Sequence, residues 1–381
     1  MTDPRIREAL DHALALGEVG VQVCACVHGR PIVDAWAGIA DLQTGAEVDG
    51  DTLFSAFSVT KGVTATALHR QAERGLVDYA ARVADYWPEF AANGKQDITV
   101  AQVLAHRSGI PQMPPGIGPE QMCDWDWMIA EIERFEPLFA PGTTNAYHKL
   151  VFGWIVGEVV RRTDPQHRPF DAYVREELLE PLGITDLYLG VPDAQLDRVA
   201  PVVVDTAPAP NPDARAESTL PVAIYPGPAF NRTDVRQSVG PGGGGIMTAR
   251  AAARFYAMLA GRGQLDGVRL LSEERLLWCT EPREDALSPD PILGWTAWVG
   301  QGGYWLGGEA PPAYPGVGDG PRILCHPGAG GSIAWADLDS GLSCAITHNW
   351  MQGVRSNSTD PDVNPFLRLA DAVRAVAAEH R

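Results

Sequence analysis

At 381 residues, with 45% hydrophobic and 20% charged residues, the chain has the composition of a globular protein of roughly two or three structural units, which excludes a disordered chain. Its 48 acidic against 30 basic residues leave a formal charge of −18, which opposes nucleic-acid and anionic-membrane binding because no basic run exists to neutralise phosphates. A small neutral molecule fits such a chain better as a partner, and association into a homo-oligomer is left open. Residues 3–16 read as a helix, with Ile6, Leu10, Ala13 and Leu14 on one side. The chain opens into that helix without a signal-type apolar run, and no stretch approaches about 18 apolar residues, so the expected location is the cytoplasm. Runs 21–27 and 31–39, rich in Val, Ile, Ala and Cys, predict a β-hairpin around His28-Gly29-Arg30. Cys24 and Cys26 alternate as in a strand and share one face. With Cys123, Cys279, Cys325 and Cys344 they lack the spacing of a zinc site or a disulfide scaffold, so neither metal nor cofactor is implied.

The pattern then turns helical at 63–74, directly after Phe57-Ser58-Val59-Thr60-Lys61-Gly62. From 83 to 240 Pro, Gly and Trp increase, with helical stretches at 100–105, 125–135, 150–162 and 170–179. The run Gly240-Pro241-Gly242-Gly243-Gly244-Gly245 breaks the pattern before a strong helix at 248–260. Strand character returns at 294–300, 322–326, 332–337 and 342–349, and 367–378 closes the chain as a helix. The stretch 302–320 is too long for a plain hairpin loop and reads as a substrate-side flap. Strands at both ends predict one sheet built from both termini: an α/β domain from 1–82 and 241–381, with 83–240 as an inserted helical, loop-rich domain.

Three motifs carry chemistry. Ser58 and Lys61 stand three apart at a helix start, which puts hydroxyl and amine on one face. Alone, the pattern also describes an N-cap serine with a solvated lysine. Lysine is rare here, however: only Lys61, Lys95 and Lys149 occur, and the other 27 of the 30 basic residues are Arg, which does not deprotonate in a protein. Tyr147 follows the turn Pro141-Gly142-Thr143-Thr144 and sits in Asn145-Ala146-Tyr147-His148-Lys149. A phenol near two ammonium groups can act as a base, although a single Tyr is more often a core residue. Finally, His326-Pro327-Gly328-Ala329-Gly330-Gly331 leaves a strand, and its glycines let a backbone approach a substrate and offer N–H groups to an oxyanion.

Together these motifs resemble the class C β-lactamase-like serine hydrolases, which include family VIII carboxylesterases, class C β-lactamases, penicillin-binding DD-peptidases and some acyltransferases. Ser-x-x-Lys is a signature of that wider group. The resemblance extends over Gly38-Ile39-Ala40-Asp41, Thr52-Leu53-Phe54, Leu104-Ala105-His106-Arg107-Ser108-Gly109-Ile110-Pro111, Gly243-Gly244-Gly245 and Thr248-Ala249-Arg250, in matching order and spacing. It implies a serine β-lactamase/penicillin-binding-protein-like α/β (α+β) fold, with an antiparallel sheet flanked by helices against a mostly helical domain.

By position, the resemblance implies Ser58 as nucleophile, Lys61 and Tyr147 as the activating pair, and the Ser58 and Ala329 amides as oxyanion hole. Which of Lys61 and Tyr147 takes the proton stays open. His326, Gly328, Lys149 and Trp350 are expected to contact substrate, with Trp125, Trp127, Tyr225, Trp305 and Tyr314 as further lining candidates. His106, Ser108 and Gly109 read as orienting a turn. Class C β-lactamases have an Asn two places after the Tyr and a Lys-Thr-Gly third motif. Here Lys149 and His326-Pro327-Gly328 replace them, which favours the carboxylesterase branch and a small-molecule ester substrate. Alternatives are an acyltransferase, a β-lactamase-type amide hydrolase, a cell-wall peptidase, and a catalytically idle cleft-binding protein.

Overall fold

Strand β1 (Gly20–Val27) is buried along its whole length, because both faces of the sheet it belongs to are covered by helices. This computed structural model describes residues 3–205, 209–308, 314–351 and 353–380. Its strands are β1, β2 (Arg30–Asp41), β3 (Ala46–Glu47), β4 (Phe54–Phe57), β5 (Leu187–Leu189), β6 (Gly245–Met247), β7 (Gln264–Leu265), β8 (Val268–Arg269), β9 (Trp305–Leu306), β10 (Ile323–Pro327), β11 (Ile333–Asp337) and β12 (Leu342–His348). Seven of them form one antiparallel sheet in the order β3-β2-β1-β12-β11-β10-β9. The two ends of the chain meet where β1 pairs with β12, Cys24 opposite Ala345, so the sheet is built from both termini as expected.

Strand alternation sorts the core. Val21, Val23, Ala25 and Val27 pack with Ile6 and Leu10 of the helix Pro4–Ala15 and with Leu369 and Val373 of the helix Leu367–Ala378. Cys24 and Cys26 point the other way, into the core that holds Phe255, Met258 and Leu259 of the helix Ala249–Ala260. All six cysteines are free thiols. Thr248 caps this helix by accepting the Ala251 N–H at 3.1 Å.

A second sheet, β4-β6-β5, leads into the Ser58 segment through β4. Its strand β5 comes from within 83–240 and pairs with β6 outside that stretch, Tyr188 opposite Ile246. Helices Val100–Leu104, Trp125–Arg134 and Val151–Thr163 fall where the periodicity puts them. Segment 170–179 is α-helical over Phe170–Val174 and continues as a π-helical turn over Arg175–Leu179.

Two expectations are corrected. Residues 294–300 form no strand beyond the bridges Val299 to Trp305 and Pro282 to Gly300, because the buried Asp290 carboxylate gathers the chain into a turn through the Ile292 and Leu293 amides. The stretch 302–320 does not stand off as a flap where it is described: Tyr304 is buried in the main core, Trp305–Leu306 is strand β9, and Tyr314 lines the cavity described below. Residues 309–313 of that stretch lie outside the described residues. Among the described residues no helix is long and apolar enough to cross a membrane.

Candidate active site

Strand β4 delivers the chain to Phe57, whose φ of 48° is unusual for a bulky residue and turns the backbone sharply into Ser58. The helix Thr60–Glu73 begins two residues later, so Ser58 sits at its N-terminal end and Lys61 one turn on. Lys61 is fully buried, and its Nζ lies 2.7 Å from Ser58 Oγ. Two main-chain carbonyls hold the same nitrogen: Lys149 O at 2.6 Å and Gly242 O at 2.6 Å.

The second of these explains the glycine run 240–245. A Cβ on Gly242 would overlap the Leu150 carbonyl, so only glycine lets this loop lie against the start of the helix Val151–Thr163 and present its carbonyl to Lys61. The contacts also fix the chemistry. As an ammonium, Lys61 donates to all three acceptors. As an amine it keeps two protons on the carbonyls and turns its lone pair toward Ser58 Oγ. Burial without a carboxylate partner lowers its pKa from 10.5 to about 7, which makes the amine available near neutrality.

Tyr147 is held from two sides. Its backbone N–H donates to Asp290 Oδ2 at 2.9 Å, and its ring packs against His106, with centroids 4.4 Å apart. Its hydroxyl lies 3.4 Å from His326 Nε2. The other His326 nitrogen, Nδ1, is 3.0 Å from the Pro327 carbonyl. A carbonyl can only accept, so Nδ1 carries the proton and Nε2 accepts from the Tyr147 O–H. Burial raises the Tyr147 pKa above the usual phenol range, although its contacts with Trp305 and Ser58 pull the other way, so the phenol stays protonated at neutral pH. Burial and the nearby Lys61 push His326 well below the usual imidazole range, leaving it uncharged.

Strand β10 closes the other side. A Cβ on Gly328 would overlap the Ala56 carbonyl, so this glycine brings the end of β10 against β4 and sets Ala329 on the same cavity as Ser58. Ala329 opens a single 3₁₀ turn, a position whose N–H has no partner inside the turn.

These elements surround a cavity of about 340 Å³. Ser58, Tyr147, Lys149, Gly328 and Ala329 line it, as do the expected aromatics Tyr225, Trp305 and Tyr314. His326 is not among the described lining residues and stands behind two that are, pairing with the Tyr147 hydroxyl and meeting the Trp305 ring edge-on. Trp350 is not among them either: its ring packs against Gly17 and beneath Arg355, while its neighbour Met351 faces the cavity. Trp125 and Trp127 are also elsewhere; Trp125 donates to Glu158 and stacks on Phe170. Sequence reasoning missed Phe230, Leu293 and Trp295. Leu293 sits in the turn around Asp290, just ahead of the stretch 294–300 that reads as a strand, and Trp295 sits within that stretch. Beside Tyr147, His106 Nδ1 accepts the His148 N–H at 3.0 Å, and Ser108 Oγ pairs with His148 Nε2 at 2.6 Å.

Asp290 braces the wall that carries Tyr147. It is fully buried 3.7 Å from the equally buried Arg283, and its oxygens accept from three backbone amides, one of them Tyr147's. Asp290→Ala leaves a buried guanidinium unpaired and is expected to cost roughly 3–5 kcal/mol in urea unfolding. A cost under about 1 kcal/mol would show that the pair does not hold this wall.

A family model described as Beta-lactamase matches residues 6–365. The chain belongs to the Beta-lactamase family. Among similar proteins is the esterase/beta-lactamase LipL of Mycobacterium tuberculosis, 33% identical over 95% of this chain and 83% of that one. Two solved structures superpose over 99% of this chain and 98% of theirs. One is a penicillin-binding protein homolog from Caulobacter crescentus, at 31% identity and TM-score 0.85. The other is a family VIII carboxylesterase, at 32% identity and TM-score 0.84. This β-lactamase-family chain is an enzyme of the hydrolase class, with the penicillin-binding-protein/β-lactamase fold that the three motifs implied.

Proposed function

We propose that the protein is a serine esterase that cleaves small carboxylic esters through an acyl-Ser58 intermediate. The observation that carries this reading is the 2.7 Å contact between Ser58 Oγ and a buried Lys61 whose other two protons are pinned on main-chain carbonyls. In its amine form Lys61 takes the Ser58 proton as the oxygen attacks the ester carbonyl. The amides of Ser58 and Ala329 receive the oxyanion, each such donor typically contributing roughly 10²–10³-fold. The Tyr147 O–H, turning from His326, supplies a proton to the departing alkoxide; water then attacks the acyl carbon and returns a proton to the Tyr147 phenolate, and the Lys61 ammonium reprotonates Ser58 as the acid leaves. Lys61 is therefore the base and Tyr147 the proton donor. The cytoplasmic placement rests on the six free thiols, which that compartment keeps reduced.

The ester branch is favoured over the β-lactam branch because a buried, uncharged His326 stands where class C β-lactamases carry the lysine of their third motif. Short-chain aryl esters should accordingly be hydrolysed with a kcat/KM at least about 10²-fold above that for benzylpenicillin, since losing the charge pair that a lysine at this position of β10 would make with the β-lactam carboxylate costs roughly 2–5 kcal/mol. Comparable values for the two substrates would reverse this choice. An acyltransferase would use the same acyl-enzyme, and added alcohols competing with water for it would separate the two.

A further inference from the structure

The three lysines of this chain have different fates. Lys61 donates to Ser58 and two carbonyls, and Lys95 donates to the carbonyls of Ala92, Glu133 and Phe135 at 2.5–2.9 Å. Lys149 lines the cavity, is only partly exposed, and its ammonium has no hydrogen-bond, carboxylate or aromatic-ring partner among the described residues. Asp290 and Glu217 are the acidic groups that act on it, both from a distance, while burial lowers its pKa. Asp290 is already committed to three amides and Arg283. Among the described residues no Asp, Glu or Arg and no other Lys lines the cavity, whose walls are otherwise rich in aromatic and aliphatic side chains such as Tyr225, Phe230, Trp295 and Trp305.

An uncommitted cation in a mostly apolar cavity is costly to maintain and rewards an anion brought to it. The residue is anchored at the reaction centre by its backbone, because the Lys149 carbonyl accepts the same Lys61 nitrogen that contacts Ser58, and its side chain shares the cavity with Ser58. We propose that Lys149 receives a second, ionised carboxylate on the substrate, so that the preferred substrates are esters carrying a carboxylate in their acyl or alcohol half. This rests on the esterase reading above and adds the substrate's charge to it. The cation projects from the segment preceding the helix Val151–Thr163 and not from β10, so it is not the third-motif grip of a β-lactamase moved by one residue. The formal charge of −18 does not oppose this, because repulsion from distant exposed carboxylates is screened beyond about 8 Å at physiological salt.

Two matched pairs test the proposal and separate the two halves. Mono-para-nitrophenyl adipate and its neutral methyl ester place the carboxylate on the acyl side. Para-carboxyphenyl acetate and its methyl ester place it on the alcohol side. The readout is the ratio of kcat/KM for the anionic member to that for its neutral twin, compared between wild type and Lys149→Met. For at least one pair the ratio is expected to fall roughly 10–100-fold in the variant, to be largely kept in Lys149→Arg, and to shrink in wild type as salt is raised. Residual turnover of the neutral esters reports that the variant is folded, and Lys149→Gln serves if the methionine variant is not. Ratios unchanged in both pairs, with neutral esters still hydrolysed, would overturn the proposal and leave the esterase reading standing. A wild-type enzyme inactive on all four esters would remove both.

Discussion

Ser58→Ala is expected to lower kcat for a para-nitrophenyl ester by roughly 10⁴–10⁶-fold, the range found when an activated serine nucleophile is removed. The fold should barely notice. Ser58 is partly exposed at the cavity floor, and its hydroxyl contacts Lys61, which keeps its bonds to Lys149 O and Gly242 O in the variant. Thermal unfolding should therefore stay within a few degrees of wild type, as for a substitution that removes no packed volume. A variant that is folded yet retains a tenth of the activity would place the nucleophile elsewhere.

Lys61→Arg is expected to be nearly as inactive as Lys61→Ala. A guanidinium retains the positive charge and the donors but cannot accept the Ser58 proton at any working pH, so charge retention does not rescue the reaction. Loss of a positioned base costs roughly 10²–10⁴-fold. Tyr147→Phe keeps the ring against His106 and removes the hydroxyl alone, so it reports on proton delivery without opening a cavity. The wild-type pH profile separates the two roles. With the Lys61 pKa lowered to about 7, the ammonium form dominates below that pH and cannot act as base. kcat/KM for a neutral ester should then fall about tenfold per unit as pH drops below 7 and level off above it. Were a deprotonated Tyr147 the base instead, its raised pKa would keep activity climbing into the alkaline range. That profile, together with an active Lys61→Arg, would reverse the assignment of base and proton donor.

The parts of this molecule that could be read from its sequence are those where local chemistry and global packing agree. Val21, Val23, Ala25 and Val27 alternate with Cys24 and Cys26, and the structure sends the two sets to opposite faces of β1. Ser58 and Lys61 are legible because the spacing of a helical turn sets their distance. Tyr147 is legible only through its motif, since nothing in its local pattern distinguishes it from a core tyrosine, and its position depends on Asp290, 143 residues away in sequence.

The wall formed by Leu293 and Trp295 was not legible. Trp295 falls in the run 294–300 that reads as a strand, Leu293 lies just ahead of it, and the carboxylate that bends the chain there, Asp290, is held by burial beside Arg283. Trp350 and Met351 show the same limit on a smaller scale. The sequence marks the segment as near the site, but the side of the chain that faces the cavity is set by the pairing of Val203 with Trp350. The pairing of His326 with Tyr147 appears only once its Nδ1 is placed against the Pro327 carbonyl, which leaves Nε2 to accept from the phenol.

The central claim is that Ser58 carries the acyl group, and trapping the enzyme with an alkyl aryl phosphonate and mapping the adduct by peptide mass spectrometry tests it most directly. The phosphonate should attach to the peptide containing Ser58, with release of one equivalent of the phenol, and the adduct should be absent from Ser58→Ala. An adduct on any other residue, or stoichiometric labelling of the Ser58→Ala variant, would contradict it.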